Sequence, residues 1–263
     1  MNILLTGGAS GIGLSVINKF KENNHNIIAL DINEIDENPN VKTFICDITN
    51  YESLQKVETY IKENNIKLDL IINIAGIHKM ASLVESPFVD IKKVIDINLN
   101  GTMLVNHTFH KYLKDKGTII ITTSEVASIP PLPFNGIYSV SKIALESYAQ
   151  ALRQELNLLN QKVITIQPGA IETPLSRNSL TDTKSLSVKT KLYQKQAHKF
   201  LEITTKFMGT PMNSDKLARK IYKICLKKHP KYTYKIHHNI GLVLLGILPK
   251  RWQCSIIKLL LNT

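Results

Sequence analysis

The chain has 263 residues, of which 43% are hydrophobic and 21% charged, and its formal net charge at pH 7 is +12. This length suits one α/β domain with a large core, and the composition is that of a globular protein. The three cysteines, Cys46, Cys225 and Cys254, are too few and too scattered for a disulfide framework or a metal cluster, so we expect a reducing, cytoplasmic setting and no bound metal.

The excess positive charge predicts attraction to anions, among them nucleotide cofactors, acidic lipid surfaces and nucleic acid. The lysines are spread along the chain and form no compact basic block interleaved with aromatic residues. This distribution argues against nucleic-acid binding. The longest apolar run, Gly241 to Leu248, falls well short of the roughly 18 residues that span a bilayer, so no transmembrane helix is expected.

Short apolar runs rich in β-branched residues recur along the chain, with segments of helical periodicity between them. The runs are Ile3 to Leu5, Ile27 to Leu30, Thr43 to Ile45, Leu68 to Ile72, Thr118 to Thr122 and Val163 to Ile166. Continuous rather than alternating apolar runs are typical of strands that are buried on both faces of a parallel sheet. The sequence therefore predicts an α/β protein with a doubly wound parallel sheet, the Rossmann fold, as a single domain over residues 1–263.

A glycine-rich turn follows the first predicted strand. The pattern Thr-Gly-x-x-x-Gly-x-Gly places Gly7, Gly11 and Gly13 at the start of the first predicted helix, together with Ser10 and Ile12. Residues without a Cβ let the backbone approach a pyrophosphate, whose charge the helix N-terminus stabilises. The position of the turn therefore favours a dinucleotide site over a turn that binds nothing.

Acidic residues end the second and third predicted strands. Asp31 is placed to accept hydrogen bonds from the adenosine ribose hydroxyls and to repel a 2′-phosphate, with a simple turn-forming role as the alternative. Neither Ser10 nor the residues just after Asp31 are basic, so NAD is favoured over NADP. Asp47, with Ile48, is a candidate for contact with the adenine amino group, and a helix cap is nearly as good an interpretation of Asp47.

Tyr138 and Lys142 stand four residues apart, on one face of a predicted helix. Hydride exchange at a carbon that bears oxygen requires a proton donor or acceptor, and a nearby ammonium group lowers the pKa of a tyrosine. Ser124, at the end of a predicted strand, is placed to hydrogen-bond the reacting oxygen. Tyr112 and Lys116 have the same spacing without these surroundings, and we interpret them as a solvated helix end.

In their order and spacing these motifs resemble those of the short-chain dehydrogenase/reductase family, over about residues 2–174. The motifs that carry the resemblance are the Thr6 to Gly13 turn, Asn73-Ile74-Ala75-Gly76, Asn98, Ser124, Tyr138 with Lys142, Pro168-Gly169 and Thr173-Pro174. The resemblance implies an oxidoreductase that transfers a hydride between a nicotinamide cofactor and a secondary alcohol or ketone. The chain departs from the family pattern at Ile74, where a second Asn is usual, and at residues 125–128, where a glycine-bearing segment is common.

The resemblance also implies roles for individual residues. Tyr138 would be the general acid/base, and Lys142 would lower the pKa of Tyr138 and bind the nicotinamide ribose. Ser124 would orient the substrate oxygen, and Asn98, in the helix before the fifth strand, would hold a water that links Lys142 to solvent. The further cofactor-binding residues that it implies are Asn73, Ala75, Gly76, Pro168, Gly169, Ile171 and Thr173.

Beyond Pro174 the sequence changes character, and we interpret residues from about 174 to 213, rich in Ser, Thr and Lys, as a mobile substrate lid without a strand. The tail, from about residue 237 to 263, joins apolar residues to cations and the only tryptophan, and is predicted as a helical extension. It is expected to close the pocket or pack on a partner subunit, with membrane association as the alternative.

The tail is similar to those of family members that act on retinoid, steroid or other lipid-like alcohols and ketones, and the lid contains apolar residues, so a hydrophobic substrate is expected. The alternatives are an NADPH-dependent carbonyl or 3-oxoacyl reductase and, from another class, a non-catalytic NAD-binding regulator or membrane-peripheral scaffold. Many members of the family have a final strand and an ending that support a tetramer. Here Lys231 to Tyr234 and the apolar tail stand instead, so a homodimer is expected rather than a tetramer.

Overall fold

The computed structural model describes residues 1–36, 38–207 and 209–263, except for the side chain of Phe207. The strands are β1 (Asn2–Thr6), β2 (Asn26–Asp31), β3 (Val41–Ile45), β4 (Leu68–Asn73), β5 (Leu113–Thr122), β6 (Lys162–Pro168), β7 (Ile171–Glu172), β8 (Met212–Asn213) and β9 (Thr233–Ile236). The helices are α1 (Gly11–Lys21), α2 (Tyr51–Glu63), α3 (Phe88–Ile95), α4 (Thr102–Phe109), α5 (Gly136–Asn157), α6 (Pro174–Lys189), α7 (Gln194–Phe207), α8 (Ser214–Cys225), α9 (Ile240–Ile247) and α10 (Lys250–Asn262).

Seven strands form one parallel sheet in the order β3-β2-β1-β4-β5-β6-β9. The chain winds outward in one direction from β1 to β3 and in the other from β4 to β9. Ligands of such sheets bind at the carboxyl ends of the strands, where the winding direction reverses. The predicted doubly wound fold is confirmed, and the reversal lies between β1 and β4.

Both faces of the sheet are covered by helices. Ile3 and Leu5 of β1 belong to the core on the side of α1 and α8, whereas Leu4 belongs to the core beneath α2, α4 and α5. Each core contains a fully buried phenylalanine, Phe20 on one side and Phe109 on the other. Because both faces are buried, the middle strands consist largely of consecutive apolar residues, such as Ile3 to Leu5 and Leu70 to Ile72, and burial of each large side chain contributes about 1.5–3 kcal/mol.

The chain does have a final strand, in a segment that the sequence predicted as a short extended piece, Lys231 to Ile236, and not as the final strand of the family. Thr233–Ile236 form β9, which pairs in parallel with β6 and completes the sheet. The segment was difficult to recognise because it is short and, as an edge strand, buries only Ile236. The interpretation of Tyr112 and Lys116 as a helix end is correct for Tyr112, which ends a 3-10 turn after α4, and wrong for Lys116, which lies within β5 with a φ of 64°.

The predicted lid contains two helices, α6 and α7, and the short strand β8. Thr173 caps α6: its side chain accepts the N–H of Ser176, and the Ser176 hydroxyl lies 3.1 Å from the N–H of Thr173. β8 pairs with β7, so the prediction that this segment lacks a strand is wrong. Met208, within the predicted lid, lies outside the described residues.

The two helices of the tail contact different parts of the molecule. α10 packs on the lid, where Leu261 and Ile257 join a cluster with Phe200 of α7, and the Lys195 ammonium donates to the carbonyl of Asn262 at 2.8 Å. α9 instead follows the Asn239 cap, whose N–H donates to the Glu125 carboxylate at 2.7 Å. Over the described part of the chain, every helix is too short or too polar to span a bilayer.

Gly169 provides a test of the packing between the ends of β6 and β9. A Cβ at this position would lie 1.9 Å from the carbonyl oxygen of His237. Gly169→Ala must therefore move one strand end, and we expect it to lower the free energy of unfolding by about 2 kcal/mol, as over-packing does elsewhere. Urea denaturation measures this change.

Gly209→Ala is the matched control. Among the described residues, nothing lies within 4 Å of a Cβ built at Gly209. We expect this variant to change the free energy of unfolding by less than about 0.5 kcal/mol. If the two variants gave the same midpoint, the close approach at Gly169 would be contradicted.

Candidate active site

The candidate residues gather at the carboxyl edge of the sheet. Gly7 directly follows β1, Asn73 ends β4, Ser124 lies just beyond β5 and Gly169 follows β6. The sequence separates these positions widely, but the parallel strands bring their ends to one edge. This edge is also where the winding direction of the sheet reverses, which is the usual ligand position in this architecture.

The glycine turn is packed so closely that side chains cannot replace its glycines. A Cβ on Gly13 would lie 1.8 Å from the carbonyl oxygen of Gly7, and one on Gly7 would lie 2.7 Å from the amide nitrogen of Ala75. Gly7 and Gly11 also have positive φ values of 77° and 53°. The first N–H groups of α1, which have no carbonyl partners within the helix, are therefore available to a phosphate without obstruction.

The segment after β4 is held against this turn. The Thr6 hydroxyl accepts the N–H groups of Ile74 and Ala75 at 3.2 and 3.3 Å. A Cβ on Gly76 would lie 3.0 Å from Oδ1 of Asn98 and 3.5 Å from Nζ of Lys142. The segment after β4 therefore lies between the glycine turn and Lys142, and Gly76 adds no side chain to the space beside Lys142. This arrangement fits a cofactor that extends from the glycine turn to Lys142.

Asp31 lies beside the glycine turn, as expected. One carboxylate oxygen accepts the N–H of Ala9 at 3.0 Å, and the other accepts the backbone N–H of Asn33 at 3.0 Å. These bonds fix the carboxylate at the edge of the turn. Glu34 and Asp36 follow it, so the local charge is negative and offers a 2′-phosphate no cation within residues 31–36.

Asp47 and Ile48 have structural contacts of their own. Oδ1 of Asp47 accepts both the N–H and the hydroxyl of Thr49, at 2.8 and 2.7 Å, and Asn50 rather than Asp47 caps α2. The Ile48 side chain is buried against Gly101, where a Cβ would come within 2.8 Å of it. Asp47 itself is exposed.

Thr173 and Asn73 take different positions around the turn. The Thr173 side chain lies 3.1 Å from the position of a Cβ on Gly11, so it borders the turn directly. Asn73 is buried and donates to Oδ1 of Asn106 at 2.8 Å, while its own Oδ1 has no partner within the described part of the protein. Ile171 is buried, and Pro168 pairs with Ile236 at the end of β6.

The structure brings Ser124, Tyr138 and Lys142 together. The Tyr138 and Ser124 side chains are hydrogen-bonded, and Lys142 lies with Nζ 5.8 Å from the centroid of the Tyr138 ring. Nζ of Lys142 also donates to the carbonyl of Thr122 at 3.1 Å. The spacing of four residues on α5 therefore places both side chains at the end of β5.

Asn98 lies in a π-helical turn, Asp96–Gly101, rather than in a regular α-helix. Its Oδ1 accepts the N–H of Ile77 at 2.8 Å, and its Nδ2 donates to the carbonyl of Ile77 at 2.9 Å and to the Ser141 hydroxyl at 3.0 Å. Asn98 thus links the segment after β4 to the helix that carries Lys142. Single π-turns of this kind are frequent at functional sites.

Burial shifts the pKa values at this site towards the neutral forms. Burial raises the pKa of Tyr138 to about 12; the Ser124 hydrogen bond lowers it in part and the charge of Glu125 raises it further. Burial also lowers the pKa of Lys142 to about 8. The net shift of the Tyr138 pKa is therefore upward, because burial outweighs the effects that lower it. At neutral pH the phenol keeps its proton.

Tyr112 forms its hydrogen bond elsewhere and takes no part in the group of Ser124, Tyr138 and Lys142. Its hydroxyl donates to the Glu58 carboxylate at 3.0 Å, and the positive φ of Lys116 directs that residue along β5 instead of a helix face. The shared spacing of four residues is therefore a coincidence. Among the described residues, no group of three His, Cys, Asp or Glu side chains could hold a metal ion.

His78, to which the sequence assigned no functional role, lies directly against Tyr138. The two ring centroids are 4.3 Å apart, and Nε2 of His78 is 3.0 Å from Oδ1 of Asn135, the residue that precedes α5. Its Nδ1 is buried and lacks a partner in the parts of the chain that the structure describes. Burial lowers the pKa of His78 to about 4. In the sequence, its position two residues after Gly76 was the one feature that could have indicated a place near the site.

Glu125 is a second residue that the sequence did not single out. It follows Ser124 directly, and its carboxylate accepts the N–H of Asn239 in the tail. The same carboxylate lies 3.3 Å from the position of a Cβ on Gly169. Its departure from the family pattern was visible in the sequence, but its partner, 114 residues further along, was not.

The lowered pKa of His78 predicts acid sensitivity. The unfolded chain binds a proton near pH 6.5, whereas the folded protein resists protonation until about pH 4, so stability falls as the pH falls through this interval. We expect wild type to lose about 2 kcal/mol more than His78→Phe between these pH values. Urea denaturation of both proteins, with pH 8 as the reference, measures the difference; parallel pH profiles would contradict it.

Comparison with known proteins places the chain among the short chain dehydrogenases, whose family model matches residues 1–184. A 3-amino-tetrahydro-pyrrolizinone reductase of Xenorhabdus hominickii is 30% identical over 252 residues, which are 91% of this chain and 86% of that protein. A 3-ketodihydrosphingosine reductase of Bacteroides thetaiotaomicron is 28% identical, over 89% of this chain and 87% of that protein.

The fold is also that of solved structures. A short chain dehydrogenase from Burkholderia cenocepacia in complex with NADP has a TM-score of 0.75 and 21% identity, with coverage of 97% of this chain and 95% of that chain. The family match covers most of the chain and agrees with the strand order. The protein belongs to the short-chain dehydrogenase family and is an NAD(P)-dependent oxidoreductase that acts on CH–OH or C=O groups.

Proposed function

We propose that this protein transfers a hydride between NAD(H) and a hydrophobic, lipid-like secondary alcohol or ketone. The observation that carries the proposal is the convergence of Ser124, Tyr138 and Lys142 at the end of β5, beside the glycine turn. A protein that only bound the nucleotide would have no need of the buried tyrosine.

The bound nicotinamide would supply or accept the hydride. In the direction of reduction, the Ser124 hydroxyl orients the substrate oxygen, and Tyr138, which is protonated at neutral pH, donates its proton to that oxygen as the alcohol forms. Lys142 carries a positive charge below its pKa of about 8, so it stabilises the phenolate that remains. Asn98 acts through Ser141 and Ile77, which hold this part of α5 in position.

The cofactor site is proposed to comprise the glycine turn, Asp31 and the segments that border Lys142. The turn would bind the pyrophosphate and Asp31 the adenosine ribose, with Asp47 and Ile48 near the adenine. The remaining proposed contacts are Asn73, Ala75, Gly76, Pro168, Gly169, Ile171 and Thr173. NAD is favoured over NADP because the Asp31 carboxylate would repel a 2′-phosphate.

A lipid-like substrate is supported by the apolar cluster beneath the lid. Met80, Phe134 and Phe200 pack together there, with Leu186 of α6 and Ile257 of α10 around them. Large apolar side chains around a few polar groups are typical of small-molecule sites. The Bacteroides relative is, by its name, a reductase of 3-ketodihydrosphingosine.

For its assembly we propose a homodimer, since the chain continues beyond β9 into α9 and α10 where a tetramer-supporting ending is usual. We also propose one domain over residues 1–263, with residues 174–213 as the lid, in a cytoplasmic setting that permits contact of the tail with a membrane. Sedimentation equilibrium would reveal the mass of a tetramer if the dimer were wrong.

Tyr138→Phe tests the proposed chemistry. This variant keeps the ring and its contact with His78 but removes the hydroxyl, and loss of a general acid lowers turnover by about a thousandfold. Hydrophobic ketones are first screened with the wild type, with NADH oxidation as the measured signal. We expect the loss of turnover for the ketone that the wild type reduces best. NADH affinity, measured by fluorescence titration, should change by less than about threefold because the variant alters no charge at neutral pH.

Tyr112→Phe is the matched control for this variant. It removes a tyrosine hydroxyl that also stands four residues before a lysine but is bonded to Glu58. Turnover should equal that of the wild type. Full activity in Tyr138→Phe would overturn the mechanism.

Asp31→Asn tests the choice of cofactor. The amide keeps an acceptor for the N–H of Ala9 and removes the charge that repels a 2′-phosphate. We expect the wild type to bind NADH at least about tenfold more tightly than NADPH, and Asp31→Asn to lose most of this preference. Asp115→Asn, which removes an equal charge in β5, should keep it. Tighter binding of NADPH by the wild type would show that our interpretation of Asp31 is wrong.

A further inference from the structure

One face of α9 consists of apolar side chains that are exposed. Ile240, Val243, Leu244 and Ile247 are 75%, 41%, 60% and 76% exposed. Their spacing, i, i+3, i+4 and i+7, forms a single apolar stripe, which on the helices of a globular protein normally faces the core. On α9 the stripe faces solvent, and none of the residues of the helix is buried.

This exposure is not the result of a loosely attached helix. The N–H of Asn239 donates to Glu125, Nε2 of His238 is 2.9 Å from the carbonyl oxygen of Gln167, and a Cβ on Gly246 would lie 3.2 Å from Pro130. These contacts attach the N-terminal end of α9 to Glu125 and to β6, and hold Gly246 against Pro130. The apolar stripe is therefore held outward, next to the proposed active site.

The charged side chains of the tail itself are all positive. Residues 237–263 contain no Asp or Glu, and Lys250 and Arg251 begin α10 immediately after α9. Trp252 follows them and is 62% exposed. An apolar helix face joined to cations and an exposed tryptophan is typical of elements that lie in the interface of a lipid bilayer, and the cations are attracted to anionic headgroups.

Other occupants of this face fit less well. The tail helix that packs against the lid is α10, whose Ile257 and Leu261 contact the cluster with Phe200, so the predicted role of closing the pocket would belong to α10 and not to α9. A second copy of the chain docked through the same stripe would offer Lys250 and Arg251 no acidic partner from its own tail, since residues 237–263 contain none. An anionic surface has the complementary charge.

We propose that α9 docks on an anionic lipid bilayer through Ile240, Val243, Leu244 and Ile247, with Lys250 and Arg251 at the headgroups. The proposal rests on the proposed function in one respect only, that a lipid-like substrate would enter from the bilayer beside the Ser124 segment. The docking itself is a property of the tail and does not depend on turnover.

Vesicle flotation tests the docking directly. Full-length protein is mixed with vesicles of phosphatidylcholine alone or of phosphatidylcholine with phosphatidylglycerol, and the fraction that rises with the lipid is measured. We expect flotation with the anionic vesicles and little with the neutral ones. Leu244→Ser/Ile247→Ser should lower the partition coefficient by about tenfold or more, because two large apolar side chains no longer enter the interface.

Two further variants separate the apolar and the charged contributions. Leu158→Ser/Leu226→Ser alters two leucines that are 82% and 57% exposed outside the tail, and it should float like the wild type. Lys250→Glu/Arg251→Glu should abolish the preference for anionic vesicles, since each cation near a charged surface contributes on the order of a fivefold change in partitioning. Thermal unfolding verifies that all variants are folded.

Three results would overturn the proposal. The wild type could stay in solution with both vesicle types, Leu244→Ser/Ile247→Ser could float as the wild type does, or that variant could change the mass of the lipid-free protein, which would identify the face as a contact between copies. NADH affinity is measured on every variant. Loss of flotation with intact NADH binding affects the docking alone, and failure of the Tyr138→Phe test leaves the flotation result unchanged.

Discussion

The candidate site depends on the close approach of the β1–α1 turn to the segment after β4. Gly7 can lie against Ala75 because it has no Cβ, and the Thr6 hydroxyl binds the two N–H groups at the start of that segment. Further along the segment, Ile77 is bound on both its N–H and its carbonyl by Asn98. A side chain at Gly7 would push the glycine turn away from the segment after β4 and from the contacts that this segment makes.

The same chain of contacts continues to the proposed acid. Asn98 also donates to Ser141, the neighbour of Lys142, so the position of Lys142 depends on the segment after β4 as well as on α5. Lys142 in turn lies beside Tyr138 and donates to the end of β5. The glycine turn and the proposed proton donor are thus parts of one hydrogen-bonded arrangement.

Burial gives this arrangement its electrostatic character. The pKa of Tyr138 is raised to about 12, that of Lys142 is lowered to about 8 and that of His78 is lowered to about 4, and burial is the largest cause in each case. All three shifts favour the uncharged form. A charge that develops in such surroundings is screened less than in water, so one correctly placed partner changes its energy strongly. The Ser124 hydrogen bond and the Glu125 charge therefore both shift the pKa of Tyr138.

The sequence predicted those features that depend on local pattern. Apolar runs identified the first six strands because both faces of the sheet are covered, and the spacing of Tyr138 and Lys142 placed them on one helix face. His78 and Glu125 could not be found in this way. Their partners, Asn135 and Asn239, lie 57 and 114 residues away, and only the folded chain brings them together. The pKa of Tyr138 was misjudged for a related reason, since burial is a property of the fold.

Composition alone did not distinguish the surroundings of the two tail helices. α9 and α10 are both rich in Leu and Ile, yet α10 turns Ile257 and Leu261 towards the lid while α9 presents its stripe to solvent. Glu125 holds the N-terminus of α9 beside Ser124. The charge of Glu125 also raises the pKa of Tyr138. One carboxylate therefore contacts the tail and influences the proposed proton donor, so any force that displaced α9 would alter the electrostatics at Tyr138.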